Sequence, residues 1–191
     1  MASYNVGYII GSLAKASINR KLMTALVRLA PPELKFTEIP IGDLPLYSYD
    51  YDSNFPEVAK KLKKDIADAD AVLFVTPEYN RGIPGALKNA IDWASRPYGT
   101  NSFRRKPSAV IGTSPGKIGT AVAQQQLRSS LAFCNSPQMT SPEAYIQYTK
   151  GMIDDQGGVT DEPTKEFLGK FMKEFRVFLD MVVPCLNQPR N

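Results

Sequence analysis

The chain of 191 residues predicts an α/β fold, a three-layer sandwich whose five-stranded parallel sheet, ordered 2-1-3-4-5, carries helices on both faces. Two observations lead there. Short apolar runs alternate with amphipathic stretches in the order β-α-β-α-β-α-β-α-β-α, and runs apolar on both sides belong to parallel strands buried between helical layers. Parallel strands need right-handed crossovers, which leaves chiefly the doubly wound arrangement for five such units. No repeat, low-complexity stretch or break in composition divides the chain, so residues 1–183 are expected to form one domain and 184–191 a tail.

Val6 to Ile10 is an apolar run ended by Gly11-Ser12 and reads as the first buried strand. Over 17–30, Ile18, Leu22, Leu26 and Leu29 recur at helical spacing, and Pro31-Pro32 closes that helix. Leu34 to Ile39 alternates as a short strand before a loop at 42–47. A Lys-rich helix over 56–69 turns Val58, Leu62 and Ile66 inward. Ala71 to Val75, with β-branched Val72 and Val75 and apolar on both faces, is the clearest strand and runs straight into Thr76-Pro77-Glu78-Tyr79-Asn80. The helix from about Pro84 to Ser95 opens on a proline, whose missing N–H costs nothing in a first turn. Ser108 to Gly112, residues 119–133 and residues 144–148 supply the fourth strand, fourth helix and fifth strand. A long amphipathic helix over 161–182, rich in Phe and Leu, stops before Pro184.

Composition narrows the chemistry. An apolar fraction of 43% and a charged fraction of 22% are those of an ordinary globular protein, and no apolar run approaches the roughly 20 residues that span a bilayer. Met1 to Asn5 carries no basic segment before the apolar run, so no signal peptide and a cytoplasmic location are expected. Cys134 and Cys185 match neither a CxxC pair nor a disulfide framework. The excess of 23 basic over 19 acidic residues is small and unclustered, which argues against nucleic-acid binding but suits anionic small molecules. With no histidine at all, Ser-His-Asp and Cys-His nucleophile systems and imidazole metal sites are excluded. A cofactor that brings its own reactivity is the economical alternative.

In doubly wound sheets ligands sit beyond the carboxyl ends of the strands, and three loops fall there. Gly11 to Asn19 opens the first helix. Its backbone amides, with Ser12, Ser17 and Asn19 as extra donors and Lys15 as the nearest cation, suit a phosphate at the positive end of the helix; equally, Ser17 is a plain N-cap in a solvated turn. One glycine makes neither a GxGxxG dinucleotide fingerprint nor a P-loop, so a mononucleotide is the natural guest. In the second loop, Thr76 to Gly85, Pro77, Gly82, Pro84 and Gly85 fix an irregular backbone whose amides can meet a planar ligand, with Tyr79 as a wall or as packing. The third, Gly112 to Gly119, is again Gly-rich and hydroxylated.

Gly11-Ser12-Leu13 through Ser17 and Asn19, then Thr76 to Asn80, then Pro84-Gly85-Ala86-Leu87-Lys88-Asn89-Ala90-Ile91-Asp92-Trp93, resemble the NADPH-dependent FMN reductase family, which includes chromate and quinone reductases and related azoreductases. The resemblance runs from the first strand to about Pro142-Glu143. It implies a flavodoxin-like fold, tightly but non-covalently bound FMN, NADPH or NADH as co-substrate, and a homodimer or homotetramer. By position, Ser12, Ser17, Ile18 and Asn19 are implied to hold the FMN phosphate, with Lys15 as the nearest cation. Pro77, Glu78, Tyr79, Asn80 and Arg81 are implied to line the flavin ring, with Ser114 and Gly116 at its other edge, and the helix Leu87 to Trp93 to contact a second subunit. At Ala14 the family commonly has Arg, so either Lys15, Arg20 or a partner chain supplies that charge or FMN binds more weakly.

The implied activity passes hydride from NAD(P)H through FMN to quinones, flavins, azo dyes, chromate or similar acceptors, with no catalytic side chain required. The alternatives are a flavodoxin-like electron carrier, which the basic charge disfavours, and a binding module without FMN.

Overall fold

The computed structural model describes residues 2–186. The elements follow the expected order: β1 (Tyr4–Ile10), α1 (Ile18–Leu29), β2 (Leu34–Glu38), α2 (Glu57–Asp68), β3 (Ala71–Val75), α3 (Gly85–Ala94), β4 (Ser108–Ser114), α4 (Ala121–Phe133), β5 (Tyr145–Gln147) and α5 (Glu162–Leu186). One 3-10 turn, Tyr49–Ser53, interrupts the long β2–α2 connection. All four strand pairings are parallel and the strand order is β2-β1-β3-β4-β5.

The period-2 geometry of β3 explains why its sequence is apolar throughout. Leu73 and Val75 pack with Val6, Ile10, Leu22, Leu26 and Phe171 under α1 and α5, while Val72 and Phe74 pack with Ile9, Leu62, Leu87 and Leu127 under α2, α3 and α4. Both faces of the strand are thus covered, and all five of its residues are buried. In α2 the inward stripe is Ala59, Leu62 and Ile66, with Val58 half-buried at its margin.

The helices start and stop for local reasons. Ser17 is the N-cap of α1, its hydroxyl accepting from the Arg20 amide at 3.3 Å. Pro84 precedes α3, as a proline that need donate nothing. The long C-terminal helix differs from expectation: α5 does not end before Pro184 but carries it inside and continues to Leu186. A proline removes one intrahelical bond and usually breaks a helix. Here tertiary contacts hold the last turn, with Val183 packed on the core and Arg105 Nη2 donating to the Leu186 carbonyl at 2.7 Å. Residues 187–191 of the expected tail lie outside the described residues. Among those described, no helix is long and apolar enough to cross a membrane.

Candidate active site

The carboxyl edge of the sheet is shaped by the point at which β3 leaves it. The Thr76 amide still donates to the Ile111 carbonyl at 2.9 Å, but the Thr76 carbonyl then turns across Gly112. A Cβ on Gly112 would lie 2.1 Å from that oxygen, so only glycine fits. β4 continues beyond this point without β3 beside it. The Asn19 side chain takes the vacated place: its Oδ1 accepts from the Thr113 amide and its Nδ2 donates to the Thr113 carbonyl, each at 3.0 Å. Asn19 is 1% exposed, so its amide pins the start of α1 to β4. Its acceptor and one of its two Nδ2 hydrogens are thus spent on β4, which leaves a single side-chain hydrogen for the phosphate expected there. Its backbone amide stays at the open end of α1.

That open end is rich in unused donors. Among the described residues, the amides of Lys15, Ala16, Ser17, Ile18 and Asn19 meet no protein acceptor. Successive amides at a helix N-terminus form an anion site without help from side chains. Ser12 and Ser17 are buried beside them, but both hydroxyls accept from the loop's own backbone, Ser12 from Ala14 and Ser17 from Arg20. Lys15 is exposed and lines a hollow of about 220 Å³ together with Ser12, Ala14, Arg20 and Glu38. Arg20 lines the same hollow, and its guanidinium already pairs with Glu38 through two bonds of 2.8 Å. Those bonds hold the Glu38 carboxyl below the usual carboxylate range and raise Arg20 in turn.

The other two loops meet around a hollow of about 420 Å³ lined by Glu78, Asn80, Arg81, Ser114 and Gly116, with Lys117 beside them. Here the structure does bring together residues expected from loops 3 and 4, whereas Pro77 and Tyr79 lie outside this lining. Tyr79 to Gly82 form a tight turn closed by two backbone bonds, Tyr79 N to Gly82 O at 3.2 Å and the reverse at 3.0 Å. Asn80 and Arg81 sit in its middle at φ of 52° and 61°, a pairing of left-handed residues typical of a type I′ turn. Neither is glycine, and such conformations cost energy that the surroundings must cover. The amides of Glu78, Asn80 and Arg81 find no acceptor among the described residues. In loop 4 the Ser114 hydroxyl donates to the Gly119 carbonyl at 2.6 Å and accepts from the Gly116 amide at 3.2 Å, so it braces the loop.

Glu78 has a role the sequence did not suggest. Its side chain is only 7% exposed, and Oε2 accepts from the Val122 and Ala123 amides at 3.0 Å each, at the start of α4. Oε1 pairs with Arg81 at 3.1 Å. From the same helix, Gln126 donates to the Arg81 carbonyl at 3.0 Å and accepts from the Ile83 amide at 3.2 Å. Sequence reasoning passed over Gln126, and nothing in its neighbourhood marks it. Lys117 stood inside a loop already singled out.

A five-stranded 2-1-3-4-5 sheet with an anion nest after β1 and a braced hollow after β3 and β4 defines a flavodoxin-like flavoprotein architecture. Residues 4–151 match the family model described as NADPH-dependent FMN reductase, and the chain belongs to that family. A relative from a Burkholderia species named 2-hydroxy-1,4-benzoquinone reductase is 49% identical over 91% of this chain and 95% of its own. A quinone reductase of Pseudomonas putida is 47% identical over 90% and 92%. The solved structure of FerB, a flavoenzyme NAD(P)H:(acceptor) oxidoreductase from Paracoccus denitrificans, superposes at a TM-score of 0.90 with 48% identity, covering 94% of this chain and 98% of that one.

Proposed function

We propose that the protein is an FMN-dependent NAD(P)H:quinone oxidoreductase of the cytoplasm, acting as a homodimer or homotetramer. The observation that carries this reading is the run of five unpaired amides from Lys15 to Asn19, on the same sheet edge as the braced hollow. Amide donors at a helix start fit a phosphate dianion, and the single-glycine loop lacks the GxGxxG fingerprint of dinucleotide sites. The names of the relatives support quinones as the first acceptors to test, with free flavins, azo dyes and chromate as further ones.

FMN, when bound, supplies a two-electron carrier that takes hydride from NAD(P)H and returns it to the acceptor. The chain's own part is binding and orientation. Amides 15–19, with Ser12, Ser17 and Lys15 around them, hold the phosphate. The hollow lined by Glu78, Asn80, Arg81, Ser114 and Gly116 would take the ring, with the unpaired amides of Glu78, Asn80 and Arg81 as donors and Pro77 and Tyr79 in the adjoining loop, outside that lining. The first turn of α3 carries further unpaired amides and a positive helix end, which would suit negative charge on a flavin bound near it. Arg81 and Lys117 place two cations at the mouth, suited to the phosphates of NAD(P)H or to an anionic acceptor.

The test has two arms. Purified protein should be yellow and release FMN, not FAD, on denaturation, and it should oxidise NAD(P)H with a quinone without any partner protein. Colourless protein that cannot be reconstituted with FMN would refute the enzyme reading. FMN-loaded protein that needs a second protein to oxidise NAD(P)H would make it a carrier.

A further inference from the structure

The ring-lining turn is closed by its own two backbone bonds but has no glycine at its centre. Its two central positions, Asn80 and Arg81, adopt left-handed conformations without being glycine, and both are exposed. The turn projects from the sheet edge after β3 has left β4, so no ladder constrains it. Four side-chain contacts from outside the turn do. The Glu78 carboxylate receives the Val122 and Ala123 amides, and the Gln126 carboxamide grips the turn at both its Arg81 carbonyl and its Ile83 amide. Gly82 permits the second grip, because even a bare Cβ there would stand 3.2 Å from Gln126 Oε1.

We propose that Glu78 and Gln126 are positioning residues for the cofactor, tying the ring-lining turn to the first two turns of α4. The inference rests on the FMN reading above but assigns Glu78 a different part from ring contact. The amides of Asn80 and Arg81 can then meet the ring without first being ordered by it. Because α4 also follows loop 4, the same helix registers the two walls of the hollow against each other. The Glu78 carboxylate is a buried anion near a site that must accept negative charge, and it is balanced there by the α4 N-terminus and by Arg81. Removing its charge while keeping its shape therefore has a signature of its own in the flavin potential.

The variants are Glu78→Ala, Glu78→Gln and Gln126→Ala, the last at an exposed position where folding is not at stake. Two readouts are needed. In apo protein, hydrogen exchange at the Tyr79, Gly82 and Ile83 amides reports the turn directly, with no cofactor present. In FMN titration, Glu78→Ala is expected to weaken binding about tenfold, the factor that roughly 1.4 kcal/mol of lost preorganisation produces. Gln126→Ala is expected to weaken it several-fold, with exchange at Gly82 and Ile83 accelerated in both variants. Glu78→Gln keeps an acceptor for the α4 amides and should recover most of the affinity, while raising the flavin midpoint potential relative to wild type.

Affinity within twofold of wild type in both alanine variants would overturn the proposal, whatever their melting temperatures, because a mere cap of α4 lowers stability alone. Unchanged exchange at the three amides would overturn it as well. Wild-type protein that binds no FMN would refute the proposed function instead, and the exchange arm would still decide whether α4 holds the turn.

Discussion

Asn19→Ala is the sharpest single perturbation of the link between the phosphate loop and the sheet. The substitution deletes two hydrogen bonds of 3.0 Å and strands the amide and carbonyl of Thr113, a residue with no exposed surface. A buried backbone group left without a partner costs about 1–3 kcal/mol, so two such groups together cost about 3 kcal/mol even when water reaches one of them. With a urea dependence of about 1–3 kcal/mol per molar, the denaturation midpoint of the apo protein should fall by about 1–3 M. Ser17→Ala, two residues away, is the matched control, because it removes only an N-cap worth about 1 kcal/mol. Both unfolding curves are measured on apo protein, so a change in cofactor affinity cannot enter. FMN affinity should also fall in Asn19→Ala, since the amides at the start of α1 are then no longer registered against β4. A midpoint for Asn19→Ala no lower than that of Ser17→Ala would refute the claim that this side chain completes the sheet.

Three further outcomes are expected. Adding FMN to apo protein at about one hundred times its dissociation constant should stabilise it by about 2.7 kcal/mol, read as a rise in melting temperature that FAD or riboflavin does not match. Arg81→Ala should raise KM for NADPH several-fold with turnover nearly unchanged, because a guanidinium that is 68% exposed contributes only about 1 kcal/mol to an ionic contact; the effect should shrink at high salt, and an unaltered KM at low ionic strength would make Arg81 ordinary surface. Glu38 titrates lower in the folded chain than when unfolded, so its contribution is present above its unfolded pKa and is lost as pH falls through the folded one. Glu38→Gln should therefore flatten the acid limb of a stability–pH curve, by less than about 1 kcal/mol for so exposed a pair, and an unchanged limb would show that the pair contributes nothing.

The parts of this fold that could be read from the chain are those set by local patterning. β3 shows its burial on both faces within five residues, and α1 shows its stripe, its Ser17 cap and its Pro31 stop within a short window. The parts that could not be read depend on what lies beside them in space. Asn19 reaches a partner 94 positions away and Glu78 reaches amides 44 and 45 positions away, so nothing near either residue distinguishes a strut from a ligand donor. Pro184 stops a helix by every local rule, and only the docking of α5 against Arg105 and the core carries the helix past it. The 3-10 turn at Tyr49–Ser53 is too short to leave a periodicity.

The two sets of unpaired donors described above, amides 15–19 and those of Glu78, Asn80 and Arg81, belong to the main chain. Alanine replacement leaves a main-chain donor where it was, so an alanine scan through these loops should look nearly silent at most positions. Proline deletes the N–H, and a proline scan should find the same positions intolerant. Side chains other than the Asn19 and Glu78 struts can consequently change without removing these main-chain donors, that of Ala14 included. Charge, bulk and polarity at Leu13, Lys15, Tyr79 and Lys117 can then be exchanged to reshape what enters the mouth. A binding floor written in backbone and a doorway written in side chains let acceptor preference diversify while the flavin seat is retained.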